Sequence, residues 1–276
     1  MKYATVMVGL ALGQSNEARL EIAGQLAERF GARVIGVAAA EFSPPLYFTE
    51  GGPAQKLIDQ GWAAVKNRLA ELEGKFRAAM QNRAIEVEWR CAEDFPTRYI
   101  VQQARACDII VVGEAARGAL ADPFVQVNPS DLVMQAGRPV LVVSDAFNWL
   151  DLRSVLVAWK DTAEARRAVS DALPVLRQST EVTVVEIVEG EADRSAALSR
   201  VGDVVAWLSR HGVRASEQVP EQRGDAATQL EQIASDVGAG VVIAGAYGRS
   251  RLSEWILGGV TRRLINPSNR CSLLSH

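Results

Sequence analysis

The chain of 276 residues is too long for one small module and suits two domains of ordinary size. Its 48% hydrophobic and 23% charged residues argue against disorder, a collagenous fibre or a membrane bundle. Thirty Lys and Arg against 33 Asp and Glu leave a formal charge of −3, without the basic excess that a nucleic-acid partner calls for.

Lys2 followed by the apolar run Ala4 to Leu12 resembles the start of a secretory signal. A similar run, Val155 to Trp159, recurs in mid-chain, and both precede a Glu-Ala-Arg segment of helical character. The first run is therefore read as a buried strand starting near Thr5, and the protein as cytoplasmic with no membrane partner. Further strands fall near Val34, Ile85, Ile109 and Val140, with a long helix from about Lys56 to Met80 between the second and third. Phe42 to Gln60 holds Pro44-Pro45 and Gly51-Gly52-Pro53 among aromatics. That composition reads as a loop over the first domain, with a lid or partner-contact segment as the alternative.

The second half repeats the pattern. Val155 to Trp159 is a strand, Ala163 to Arg177 a helix with Ala165, Val169, Ala172, Leu173 and Leu176 on one face, and Val182 to Val188 a second strand. Ala192 to His211 is helical and stops at Gly212; Val213 to Val219 alternates as a third strand. Asp225 caps a helix running to about Asp236, and Val241 to Ala244 and Ser272 to Leu274 complete the set. Alternation of strands and helices at this length implies α/β architecture, a parallel sheet covered on both faces.

The two halves align. Glu17-Ala18-Arg19 matches Glu164-Ala165-Arg166 at an offset of 147, and Cys107 to Ser144 aligns without a gap on Ala239 to His276 at an offset of 132. In the second register Gly113 falls on Gly245, Arg117 on Arg249, Leu120 on Leu252, Leu132 on Leu264, Arg138 on Arg270 and Leu141 on Leu273. The chain is read as a tandem repeat, residues 1–148 and 149–276.

Cys91, Cys107 and Cys271 lack the spacing of a disulfide framework or a zinc site and read as small apolar side chains in a reducing compartment; Cys91 alone is placed after a strand, near a pocket. The two histidines, His211 and His276, leave a Ser/His/Asp triad or a His-rich metal centre little to work with, and neither stands near the glycine loop in sequence. No catalytic or metal-ligating residue is assigned.

Chemistry in such sheets gathers at the carboxyl ends of the strands, where the winding reverses. After the fourth strand of the second half stands Gly245-Ala246-Tyr247-Gly248-Arg249-Ser250, then Gly258-Gly259-Val260-Thr261 opening a helix that ends at Asn266-Pro267. Glycines there let backbone approach an anion and adopt positive φ, and free amides at a helix start carry partial positive charge. Arg249 supplies a cation, Ser250 and Thr261 hydroxyls. It is neither a Walker loop nor a dinucleotide fingerprint. The first half has Ala116, Gln126 and Val127 at the positions of Gly248, Gly258 and Gly259, so its site is read as lost.

With this spacing, GxxG, nine residues and G, the sequence resembles the universal stress protein family in its tandem two-domain form, over nearly its whole length. The resemblance implies two doubly wound parallel five-stranded sheets of strand order 3-2-1-4-5, a stress-response role, and ATP or another adenine nucleotide across the ends of strands one and four, with magnesium as an optional companion. Gly259 departs from the hydroxyl residue usual in the family. Lys160, with Asp161 next to it, stands in the stretch from Ala158 where the family commonly has an acid meeting the adenosine. Ile187 is the counterpart of an apolar adenine contact. A regulatory protein is preferred to the alternatives, a slow ATP hydrolase or a nucleotide-free adaptor. The two halves are expected to pair as a pseudo-dimer within the chain, and a further homodimer stays open.

Overall fold

The computed structural model describes residues 2–43, 52–83, 85–115, 122–248, 259–266 and 269–276. The first half runs β1 (Thr5–Leu10), α1 (Glu17–Phe30), β2 (Arg33–Ala39), α2 (Gly52–Met80), β3 (Val87–Ala92), α3 (Pro96–Gln103), β4 (Ile109–Gly113), α4 (Pro129–Gln135) and β5 (Val140–Val143). The second runs β6 (Ser154–Ala158), α5 (Ala163–Asp171), α6 (Leu173–Leu176), β7 (Glu181–Val185), α7 (Glu191–Arg210), β8 (Ala215–Gln218), α8 (Ala226–Asp236), β9 (Val241–Gly245), α9 (Gly259–Leu264) and β10 (Cys271–Ser275).

The strands are ordered β3-β2-β1-β4-β5-β10-β9-β6-β7-β8 in one ten-stranded sheet. Each half has the expected order 3-2-1-4-5 with parallel pairing, and the halves meet through β5 and β10, which pair antiparallel with Leu141 opposite Leu273. Period-two alternation sends successive side chains to opposite faces. Val6, Val8, Val155 and Val157 pack on the face of α1, α2, α5 and α7, while Met7, Leu156, Val242 and Ala244 pack on the other, under α3, α4, α8 and α9. With both faces buried, the central strands read as unbroken apolar runs.

Local signals end the elements. Gly31 at φ 61° and Gly212 at φ 78° take the left-handed conformation that stops α1 and α7. The Asp225 carboxylate accepts the Thr228 amide at 2.9 Å, and the Thr162 hydroxyl accepts that of Ala165 at 3.3 Å. The helix predicted over 163–177 is interrupted at Ala172, because Pro174 has no N–H to give and opens a new short helix, α6, instead. The strand predicted over 182–188 stops at Val185, leaving only a bridge from Val188 to Glu221.

The predicted loop over 42–60 is corrected in part. Helix α2 begins at Gly52, so 52–60 are helical, proline being accepted in a first turn where no N–H partner is needed. Phe42 is docked rather than free: its ring lies 6.1 Å from that of Trp62 and over Gly61, where an added Cβ would come within 2.3 Å of it. Residues 44–51 lie outside the described residues. Cys91 lies within β3 and is exposed, not after it; Cys107 and Cys271 are buried, which pushes both thiols up to about 12.

Asp171 ties the halves together. Its carbonyl accepts from the Tyr3 hydroxyl at 2.7 Å and its carboxylate from Ser275 at 2.9 Å. Burial raises its pKa, partly offset by Ser275, Arg167 and Arg138. A raised carboxyl pKa favours folding only while the group is protonated, so its contribution is lost as pH rises through the folded value. Asp171→Asn keeps an acceptor for Ser275 and is expected to raise the melting temperature at neutral pH. The gain should close as pH falls below the ordinary aspartate range, as scanning calorimetry at several pH values would check.

Candidate nucleotide site

At the carboxyl ends of β6 and β9 lies a cavity of about 570 Å³. Four stretches of chain meet there: Ala158 and Lys160 after β6, Ile187 beyond β7, Gly245 and Gly248 after β9, and Gly259, Val260 and Thr261 at the start of α9. These are eight of the twelve residues singled out from sequence. Arg249, Ser250 and Gly258 lie outside the described residues. Asp161 does not line the cavity: its carboxylate turns away to Arg166 Nη1, 2.5 Å distant. Lys160 is exposed.

The glycines serve differently from expectation. Positive φ falls on Tyr247, at 62°, and on none of Gly245, Gly248 and Gly259. Such a φ costs a non-glycine residue roughly 1–2 kcal/mol, offset here by burial of the ring, which is 8% exposed. Gly245 is required by close approach, since α5 rests directly on it: an added Cβ would sit 2.4 Å from Ala165 N and 2.5 Å from the Glu164 carbonyl carbon. Gly248 and Gly259 have only ordinary contacts at that position, 3.4 Å to Glu164 and 3.7 Å to Asp225. Among the described residues nothing in the packing forbids a Cβ at these two places; their bareness leaves the cavity open.

Several lining residues were not singled out from sequence. Glu164, Glu186, Glu189, Gln222 and Tyr247 all face the cavity, with Ala226 and Leu230 of α8 as apolar wall. Glu186 is buried and held by Arg200 Nη2 at 2.5 Å. The signal for Glu186 and Glu189 was present: two acids break the apolar run around Ile187 where β7 ends, at the edge where ligands sit. Glu164 follows the Thr162 cap in the first turn of α5, close to Gly248 in space but not in sequence. A histidine also comes near the loop, against expectation: His276, the residue after β10, has its Nδ1 3.0 Å from the Ala246 carbonyl oxygen, which requires the proton on that nitrogen. It is not among the cavity's lining residues.

At the matching strand end of the first half a side chain lies against the glycine. Arg19, 2% exposed, lies over Gly113, where an added Cβ would be 2.2 Å from its Nη2. That nitrogen donates to Gln14 Oε1 at 3.2 Å and the Ser15 carbonyl at 3.1 Å and lies 3.7 Å from Asp145. Burial lowers the Arg19 pKa, and Asp145 opposes the shift. Val127 is buried, Gln126 buries its Oε1, and the Glu41 amide donates to the Phe124 carbonyl at 2.8 Å across the strand ends. Ala116 lies outside the described residues.

Comparison with known proteins agrees with this architecture. The family model of the universal stress protein family matches residues 2–144. A universal stress protein from Archaeoglobus fulgidus DSM 4304 is similar with 17% identity and a TM-score of 0.70, covering 98% of this chain and 95% of that one. A putative universal stress protein from Pseudomonas aeruginosa UCBPP-PA14 follows with 15% identity and a TM-score of 0.62, covering 99% and 93%. No curated protein sequence matches the chain. The fold is shared along the full length with these structures, the family match spans more than half the chain, and the protein belongs to the universal stress protein family.

Proposed function

We propose that the second half, residues 149–276, binds an adenine nucleotide, ATP or a close relative, in the cavity between β6 and β9, and that the use is regulatory rather than catalytic. The observation that carries the reading is the meeting of Ile187, Lys160, the Gly245–Gly248 turn and the Gly259–Thr261 helix start in one cavity of about 570 Å³, a size suited to such a ligand. Ile187, Leu230 and Val185 offer apolar contact to a base. Glu186 and Glu189 can accept hydrogen bonds from ribose hydroxyls. Lys160 and the Thr261 hydroxyl, with backbone amides of the turn, are the donors for phosphate.

Among the described residues no three acidic, histidine or cysteine side chains converge as metal ligands. Magnesium would therefore arrive on the nucleotide's own phosphates, where its charge would offset the nearby Glu164. Residues 1–148 act in this reading as a structural or regulatory partner, with Arg19 lying over Gly113 at its own strand end. The compartment proposed is the cytoplasm; among the described residues no helix is long and apolar enough to cross a membrane.

Gly248→Val tests the assignment. A Cβ is tolerated at that position, but two further methyl groups would occupy the cavity, so ATP affinity measured by equilibrium dialysis should fall at least about tenfold while the thermal melt is unchanged. Undiminished binding would reject the site.

A further inference from the structure

A second cavity, of about 410 Å³, opens on the other side of Trp159, in the seam between α5 and α7. Arg200, Asp203, Val204 and Trp207 reach it from α7 at spacings i, i+3, i+4 and i+7, one continuous face of a helix. This is not the core-facing stripe of α7, which is Ala197, Val201 and Leu208. Across the seam stand Trp159, Asp161, Arg166 and Val169.

In the first half an ion-paired arginine links α1 to the end of α2. There Arg83, beyond the end of α2, reaches back to Glu21 and Glu28 of α1 at 2.5 and 2.9 Å, and Gly24 of α1 gives it room. No such strap spans α5 and α7 among the described residues, and the arginines in the seam are engaged at its edges, Arg166 with Asp161 and Arg200 with Glu186. Each guanidinium has five N–H groups and spends one or two, so donors remain for a guest. Trp207 keeps 38% of its surface exposed, an indole left out where burial would be favourable. The Trp159 Nε1–H is buried without an acceptor, an unmet donor in the same wall.

We infer that this seam is a binding site for an aromatic α-amino acid. Two indoles and two valines offer a flat apolar slot for a ring. The lining charges balance, two arginines against two aspartates, which suits a guest that is neutral overall but carries both signs. Its carboxylate meets the spare N–H groups of Arg166 or Arg200, and its ammonium meets Asp203 on the outer face of α7. A free aromatic acid would leave Asp203 facing only repulsion, and an aromatic amine would leave the guanidinium donors unanswered.

The test uses nucleotide-free full-length protein, so its outcome is independent of the nucleotide reading. Calorimetric titration with L-tryptophan should show one saturable site. Tryptamine, lacking the carboxylate, and indole-3-propionate, lacking the ammonium, should each bind at least about tenfold more weakly. Trp207→Ala and Asp203→Asn change exposed positions and should keep the wild-type melt while weakening tryptophan by a similar factor. Absence of saturable heat with L-tryptophan, equal affinity for either analogue, or wild-type affinity in Trp207→Ala would overturn the proposal.

Discussion

Gly245→Ala is expected to destabilise the protein by about 3 kcal/mol, the upper end of the usual penalty for overpacking. The added methyl group would enter backbone at both ends, 2.4 Å from Ala165 N and 2.5 Å from the Glu164 carbonyl carbon, and neither can swing aside. Relief would require α5 to lift from β9, giving up the burial of Ala165, Ala168 and Val169 against the sheet. Gly113, its counterpart in the repeat, meets the far end of Arg19 instead, and a flexible guanidinium can retreat by bending its stem. Gly113→Ala should therefore cost less, about 1 kcal/mol. Chemical denaturation of the two variants with unchanged m-values would measure the difference. Equal costs would mean that the two strand ends are closed by the same device, contrary to the geometry described.

The second large effect concerns Arg19. Arg19→Ala should cost about 3 kcal/mol, because it empties a fully buried volume over Gly113 and removes the bonds to Gln14 and Ser15. Asp145 is 44% exposed and can turn to water, so no buried acid is stranded by the change. Arg19→Met keeps most of the volume and dispenses with burying a cation, and should cost no more than about 1.5 kcal/mol. Thermal melts of the pair distinguish packing from charge: a methionine variant as unstable as the alanine one would show that the ion pair, not the buried volume, matters.

Arg19 also shows where the sequence stops being informative. At an offset of 147 it aligns with Arg166, the same residue type after the same Glu-Ala pair. One is buried over the end of β4, and the other lies exposed against Asp161. What separates them is the distance between the helix start and the neighbouring strand, a tertiary quantity that residue identity does not encode. The fold was far more legible. Apolar runs marked the central strands because a parallel sheet covered on both faces tolerates little else there, the edge strand β8 (Ala-Ser-Glu-Gln) showed only as alternation, and Asp225 and Gly212 marked helix ends through local chemistry. The glycine spacing located the cavity, yet the positive φ it was expected to serve belongs to Tyr247. Asp161, one residue past Lys160, was grouped with it by proximity in sequence, and the turn into α5 sends it to the other cavity.

The claim on which the functional account rests is that one half of this chain takes a nucleotide and the other does not. Stoichiometry decides it: ATP titrated calorimetrically into nucleotide-free full-length protein should saturate at one equivalent per chain, and the heat should vanish in Gly248→Val protein whose melt is unaltered. Two equivalents per chain, or no saturable heat at all, would contradict the account.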